Sequence, residues 1–197
     1  MRSRSDVALC VEAGADALGF IFAASPRRLR VATAAKIAAL VPPFVTKVGV
    51  FGNNDEALVR DAIDRCGLDM LQFCGDESPG FCGSFGPPTI IRLHADRALA
   101  TRDLRAARAV AVILDGADSG RLGGTGRRTP TEPARVARER SPLPLVLAGG
   151  LTPTNVGAAI TSVRPWAVDV RSGVEARGRK SAQLVADFIR AAKGASL

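Results

Sequence analysis

The stretch LVLAGGLTP, residues 145–153, carries the first signal of the fold. Its apolar opening, LVLA, is typical of a strand that is covered on both faces, as in parallel sheets. The pair Gly149 and Gly150 allows a tight turn, and Thr152 followed by Pro153 predicts a helix with a threonine cap and proline at its first position. Strand, glycine turn and helix in this order indicate one unit of an alternating α/β fold.

Similar β-rich runs recur along the whole chain, and helical patterns lie between them. Ser3 and Asn54 each predict a helix start, Gly67 predicts a helix end, and Ser181 predicts the start of the last helix. Prolines and charges blur the helical pattern of residues 127–140. The seven predicted strands are residues 17–22, 46–51, 70–75, 89–94, 111–116, 145–149 and 167–172.

Seven strands that alternate with helices leave two architectures, an open doubly wound sheet and a (β/α)8 TIM barrel. No GxGxxG follows the first run, so a dinucleotide fold lacks its fingerprint. Glycine-rich turns instead follow the last two runs, where barrels bind phosphate, at Gly149 with Gly150 and at Ser172 with Gly173. Counted as strands two to eight, the runs predict an α/β fold. We expect a single (β/α)8-barrel domain over residues 1–197 that lacks its first strand.

Composition and charge limit the classes of partner. The 197 residues are 47% hydrophobic and 23% charged, which are globular values. The 27 Lys and Arg exceed the 19 Asp and Glu by 8, but this excess is spread along the chain. No zinc-finger spacing, basic zipper or aromatic RNA platform accompanies it, so we expect no nucleic-acid partner. A positive field suits a small anionic substrate.

The cysteines and the longest uncharged run indicate the cellular location of the protein. Cys10, Cys66, Cys74 and Cys82 form no CxxC pair and show no metal spacing, which favours reduced thiols in a cytoplasmic protein without a metal. Prolines and glycines interrupt the uncharged run 141–163, so we expect no membrane span.

Two charged side chains stand where barrel active sites form, just after strands. Arg27, in the run SPR, could bind a carboxylate or phosphate bidentately, or it could be a solvated loop residue. Asp115 follows four apolar residues, so it could be a partly desolvated general acid, or it could cap a loop turn. The glycine-dense residues 120–126 come next and fit either a ligand contact or a plain flexible loop.

Glycines and one serine predict an anion site at the last two strand ends. Gly149 and Gly150 let the backbone approach a phosphate, and Ser172 with Gly173 could complete a nest of N–H groups. The only histidine, His94, fits a structural role better than a catalytic one.

Several runs, in their order along the chain, resemble the phosphoribosylanthranilate isomerase family of tryptophan biosynthesis. The matching runs are 11–22 (VEAGADALGFIF), 25–27 (SPR), 44–51 (FVTKVGVF), 71–77 (LQFCGDE), 114–115 (LD), 123–126 (GGTG), 145–155 (LVLAGGLTPTN) and 168–175 (VDVRSGVE). The resemblance implies a (β/α)8 barrel without cofactor or metal, monomeric or homodimeric. It would isomerise N-(5′-phosphoribosyl)anthranilate to the carboxyphenylamino-deoxyribulose phosphate.

The resemblance also implies roles for individual residues. Asp115 would be the general acid, Arg27 would hold the anthranilate end, and Gly124 of the GGTG run would contact the substrate. Asp169 would lie at the edge of the site. The phosphate would be held by Gly149, Gly150, Ser172 and Gly173.

Three departures from the family pattern stand out. The family's base is a cysteine in a Lys-x-Cys-Gly strand, which this sequence does not contain, and Cys10 falls on the inner face of the first helix instead. Arg171 replaces a small residue, usually serine, and residues 127–130 replace an aromatic and acidic segment. We therefore expect that the natural chain begins upstream of Met1. A histidine-pathway isomerase and a non-catalytic phosphoribosyl-binding barrel are the alternatives.

Overall fold

The computed structural model describes residues 1–93, 101–116 and 130–195. The chain groups into two compact units. The first unit comprises Met1–Ile91 and Arg102–Ala109, and the second comprises Arg92–Thr101 and Val110–Leu197. The single domain over residues 1–197 stays a prediction.

Parallel strands form the centre of the first unit. Gly19 is paired with Val48, Val48 with Met70, and Leu71 with Thr89, so each strand adds to the one before it in the chain. The strands are β1 (Ala17–Ile21), β2 (Thr46–Phe51), β3 (Met70–Phe73) and β4 (Thr89–Leu93), and the helices are α1 (Arg4–Glu12), α2 (Val31–Ala38), α3 (Glu56–Cys66), α4 (Pro79–Gly83) and α5 (Thr101–Ala106).

Side-chain caps explain where α1 and α3 begin. The Ser3 hydroxyl accepts a hydrogen bond from the Asp6 N–H at 3.1 Å, which confirms the predicted cap. The prediction for Asn54 is wrong, because Asp55 caps α3 by accepting from the Leu58 N–H at 2.7 Å. Asn54 instead accepts from the Gly52 N–H at 2.9 Å, within the turn before the helix. Gly67, with a φ of 57°, ends α3 as predicted.

A row of phenylalanines fills the first unit beneath the ends of its strands. Phe22 stacks on Phe51 with ring centroids 5.2 Å apart, and Phe51 contacts Phe73 at 5.8 Å. Phe73 in turn packs on Phe85 at 6.0 Å. These rings are almost completely buried, so the loops that follow β1, β2 and β3 rest on a rigid apolar layer.

The second unit repeats the parallel pattern. Val112 is paired with Leu145, and Val146 with Ala167. Its strands are β5 (Ala109–Leu114), β6 (Leu145–Leu147) and β7 (Ala167–Val168), and its helices are α6 (Thr131–Arg140), α7 (Val156–Val163) and α8 (Ala182–Lys193). After one 3-10 turn, Ser172–Val174, the chain forms a short antiparallel hairpin of β8 (Glu175–Ala176) and β9 (Arg179–Lys180).

All seven predicted strands are present, but most are shorter than predicted. Only the run 46–51 matches its strand, β2, at both ends. The run 167–172 contains just two strand residues, because the chain leaves the sheet after Asp169, whose N–H still donates to the Leu147 carbonyl. Within the described residues, no helix is long and apolar enough to cross a membrane.

The predicted start of α7 is wrong. Thr152 and Pro153 lie in a turn in which the Asn155 N–H donates to the Thr152 carbonyl at 3.2 Å. The helix begins only at Val156, with Asn155 at the cap position. Proline therefore stabilises the turn before the helix rather than its first turn.

Candidate active site

Backbone hydrogen bonds align the carboxyl ends of the three strands of the second unit. The Ala148 N–H donates to the Leu114 carbonyl at 2.8 Å, and the Asp169 N–H donates to the Leu147 carbonyl at 2.9 Å. These bonds extend the parallel pairing by one residue beyond β6 and β7. Asp115, the glycine turn after Ala148, and Asp169 therefore leave the same edge of the sheet, on neighbouring strands.

The two carboxyl groups at this edge influence one another. Asp115 is half-buried, and Asp169 keeps contact with solvent. Dehydration by the surrounding protein raises the pKa of Asp169 above its ordinary value, and the negative charge of Asp115 raises it further. Lys180 and Arg171 act in the opposite direction. A carboxyl that retains its proton more readily than usual can serve proton transfer at this strand end.

The turn after β6 exposes backbone N–H groups. Gly149 and Gly150 have φ values of 87° and 64°, a left-handed conformation that side chains rarely tolerate. Asn155 fixes this turn from both sides, because its side chain donates to the Gly150 carbonyl at 3.0 Å and accepts from the Thr152 N–H at 2.8 Å. The turn is thus held in one shape before any ligand arrives.

The turn after β7 packs directly on the glycine turn. Gly173 lies against the carbonyl group of Leu151, and a Cβ in its place would also lie 3.2 Å from the Thr152 Cα. Ser172 is exposed at the start of the 3-10 turn. The structure therefore brings together all four residues that the sequence nominated for phosphate, Gly149, Gly150, Ser172 and Gly173.

The hairpin that follows holds a nearly buried ion pair that the sequence analysis missed. Lys180 and Glu175 face each other across β8 and β9, with 9% and 8% of their side chains exposed and 4.0 Å between Nζ and Oε1. Lys180 Nζ also donates to the Arg171 carbonyl at 3.0 Å. The sequence signal for this hairpin is the dipeptide Arg177 and Gly178. Both residues are left-handed and form a two-residue hairpin turn.

Arg27 belongs to the first unit, where it follows β1. Its N–H donates to the Ser25 hydroxyl at 3.1 Å, and the Leu29 N–H returns to the Ile21 carbonyl at 2.8 Å. These bonds shape the loop so that Arg27 is half-buried beyond the carboxyl end of the strand. A guanidinium at such a position can bind a carboxylate in bidentate fashion.

Some nominated residues lie outside the described ones. They are Gly124, with the rest of the glycine-dense run 120–126, and His94. Cys74 follows β3, half-buried, and accepts from the Gln72 amide at 3.2 Å. Among residues 1–93, 101–116 and 130–195, no three His, Cys, Asp or Glu side chains are placed to hold a metal ion.

Parallel strands that alternate with helices, and carry acids and glycine-containing turns at their carboxyl ends, define an enzyme of the (β/α)8 class. The predicted α/β fold class is confirmed by a crystal structure of phosphoribosyl anthranilate isomerase from Thermotoga maritima. It matches with a TM-score of 0.83 and 34% identity, covering 98% of this chain and 96% of that one.

The chain belongs to the N-(5′-phosphoribosyl)anthranilate (PRA) isomerase family, the isomerases of tryptophan biosynthesis, whose family model matches residues 1–191. The isomerase of that name from Geobacter sulfurreducens is 44% identical over 194 residues, 98% of this chain and 95% of the relative. The family resemblance read from the sequence is confirmed.

Two further solved structures bear on ligand and assembly. One is a PRA isomerase in complex with reduced 1-(o-carboxyphenylamino)-1-deoxyribulose 5-phosphate, with a TM-score of 0.80 and 33% identity over 98% of this chain and 95% of that one. The other describes mutually generated monomers of the dimeric isomerase from Thermotoga maritima, with a TM-score of 0.80 and 31% identity over the same shares of the two chains.

Proposed function

We propose that this protein acts on N-(5′-phosphoribosyl)anthranilate and converts it to 1-(2-carboxyphenylamino)-1-deoxyribulose 5-phosphate. The observation that carries the proposal is the arrangement in the second unit. Asp115 and Asp169 follow strands at the same sheet edge as the glycine turn. Gly173 packs against that turn and so places its neighbour Ser172 beside it. An acid beside an anion-binding turn suits a phosphorylated sugar whose ring must be opened.

Asp115 is the proposed general acid. It gives its proton to the ring oxygen of the ribose as the bond from C1 to that oxygen breaks, and the nitrogen lone pair forms a Schiff base with C1. Removal of the C2 proton then moves an electron pair into the bond between C1 and C2. The resulting enolamine becomes the ketone when C1 takes up a proton and the C2 hydroxyl loses its own.

The other nominated residues bind the two ends of the substrate. Gly149, Gly150, Ser172 and Gly173 hold the phosphate through backbone N–H groups and one hydroxyl. Arg27 holds the carboxylate of the anthranilate, and Gly124 contacts the substrate. Asp169 lies at the edge of the site, where its raised pKa provides a second carboxyl that can retain a proton. No cofactor and no metal take part in this scheme.

The base that takes the C2 proton in the family is the cysteine of a Lys-x-Cys-Gly strand, a motif that these 197 residues do not contain. Binding and turnover are therefore tested separately. Titration calorimetry with reduced 1-(o-carboxyphenylamino)-1-deoxyribulose 5-phosphate tests binding by the 197-residue chain. Rescue of a tryptophan auxotroph, by this chain and by the same chain extended upstream through its genomic reading frame, tests catalysis.

The acid role of Asp115 is tested in whichever version rescues. Asp115→Asn keeps the shape of the side chain, so we expect affinity for the reduced product to change little and kcat to fall by about 10²- to 10⁴-fold. An unchanged kcat would remove Asp115 from the acid role. If neither version rescues but the reduced product still binds, the chain is a non-catalytic binding barrel.

Assembly and location complete the proposal. The protein is a monomer or a homodimer, the latter in keeping with the dimeric relative, and size-exclusion chromatography with light scattering distinguishes the two. Four free cysteines, three of them buried, support a cytoplasmic location. The protein binds no nucleic acid, and DNA affinity that falls steeply with salt would contradict this.

A further inference from the structure

We propose that Arg171 is an additional ligand for the phosphate of the substrate, supplying a positive charge beside the backbone N–H groups of Ser172 and Gly173. The proposal rests on the proposed function, since it assumes that the turn after β7 holds a phosphate. It adds a charged side chain where the family pattern has a small residue.

The position of Arg171 is fixed by its own backbone. It lies two residues after Asp169 and directly before the 3-10 turn that begins at Ser172. Its carbonyl accepts a hydrogen bond from Lys180 Nζ at 3.0 Å, and Lys180 is itself nearly buried against Glu175. The main chain that carries the guanidinium is therefore anchored immediately beside the turn.

The side chain of Arg171 carries an unsatisfied donor. Its Nε is buried and has no hydrogen-bond partner among the described residues, although the residue as a whole is partly exposed. Buried N–H groups without an acceptor are uncommon in folded proteins, and a missing ligand is one physical reason for them. A phosphate oxygen next to Ser172 is an acceptor of the kind that this donor lacks, and its contact with a guanidinium is charge-assisted.

The charges around the turn favour the same assignment. Dehydration and Asp115 raise the pKa of Asp169, whereas Lys180 and Arg171 lower it, so the charge of Arg171 acts on Asp169 at the end of β7. The charge of Lys180 is already used by Glu175 and the Arg171 carbonyl. Arg171 adds a positive charge beside a phosphate that carries two negative charges.

The test compares Arg171→Ser with Arg177→Ser. Both variants remove one positive charge, and Arg177 is exposed at the tip of the adjacent hairpin. Serine at 171 leaves the carbonyl that Lys180 needs. Calorimetry measures the Kd of reduced 1-(o-carboxyphenylamino)-1-deoxyribulose 5-phosphate, and competition with inorganic phosphate and with anthranilate reports on the two ends of the ligand separately.

We expect Arg171→Ser to raise the Kd of the reduced product and of inorganic phosphate by about tenfold or more, and Arg177→Ser to change both by less than about twofold. Anthranilate competition stays the same in all three proteins. Arg171→Lys keeps the charge without Nε and should give an intermediate Kd. Added salt should weaken phosphate binding more in the unmodified protein than in Arg171→Ser.

Three results would overturn the inference. Equal losses in Arg171→Ser and Arg177→Ser would mean that only the overall charge matters. A loss confined to anthranilate would place Arg171 at the other end of the substrate. If the unmodified protein binds neither the reduced product nor phosphate, the proposed function fails as well, and this outcome is distinct from the first two.

Discussion

Gly173 lies so close to the carbonyl oxygen of Leu151 that any side chain at this position would overlap with it. The contact joins the turn after β7 to the glycine turn after β6. Because the overlap is with backbone rather than with a flexible side chain, the two turns would have to separate to make room. This contact sets how closely the two turns that carry the four proposed phosphate ligands approach each other.

Gly173→Ala should therefore damage the proposed phosphate site. We expect the free energy of unfolding to fall by about 1–3 kcal/mol because of overpacking. We also expect the Kd of the reduced product to rise by about tenfold or more. Gly86→Ala is the control, because a Cβ at Gly86 would meet nothing within 4 Å. Calorimetry and urea unfolding measure the two quantities. An affinity equal to that of Gly86→Ala would show that the turns do not need this contact.

Removing one partner of the Lys180 and Glu175 ion pair should destabilise the protein more than replacing both partners together. Lys180→Met removes the cation that faces the buried Glu175 and the donor to the Arg171 carbonyl, which should cost about 3–5 kcal/mol in the free energy of unfolding. The double variant Lys180→Met with Glu175→Leu should recover most of that loss, because two apolar side chains need no solvation. Urea unfolding of both single variants and the double variant gives the coupling. Additive losses would contradict the prediction.

Asp169 should make the stability of the protein depend on pH. Since its pKa is raised above the ordinary 3.8, the folded state binds more protons than the unfolded state over the range between the two values. The stabilising contribution of the protonated form is complete below the ordinary pKa. It is lost as the pH rises through the raised one.

Asp169→Asn removes this dependence. The variant should gain Tm relative to the unmodified protein as the pH rises from about 4 to about 8, and the two should converge at the acid end. Scanning calorimetry across this range provides the measurement. A Tm difference that stays constant, or that grows toward acid, would rule out a raised pKa at Asp169.

The four cysteines should differ sharply in reactivity. Dehydration raises the pKa of Cys66 to about 11, despite the nearby Arg65, and dehydration together with Glu77 raises the pKa of Cys82 to about 12. Cys10 is buried as well, whereas Cys74 is half-buried. Thiolate is the reactive form, so a disulfide reagent at neutral pH should modify Cys74 alone in the native protein and all four after denaturation. Cys74→Ser should abolish the native reaction, and rapid modification of a second thiol would contradict the prediction.

The strands could be predicted from the sequence because parallel strands covered on both faces leave continuous apolar runs. Their ends could not, because the residues that leave the sheet, such as Val170 after β7, are as apolar as those inside it. The choice between Asn54 and Asp55 as a cap also went wrong, since both side chains can cap and only the turn geometry decides. The helix α2 has no side-chain cap at Arg30, so it lacked a start signal.

Some features of the candidate site could likewise be predicted from the sequence, and others could not. Gly149 and Gly150 were recognisable because a left-handed turn after a strand needs glycine. The anchor of Arg171 on Lys180 was not, because nine positions separate the two residues and a folded hairpin is needed to bring them together. Arg171 itself stood out only as a departure from the family pattern.

The turns at Gly149 and Gly173 derive their shape from the main chain, and this has an evolutionary consequence under the proposed role. A phosphate site formed mainly by backbone N–H groups is retained when most neighbouring side chains are substituted. Mutation can then replace the acids at the strand ends, or introduce a cation such as Arg171, while the two backbone turns keep their shape. One ancestral barrel could in this way supply enzymes for several phosphorylated sugars.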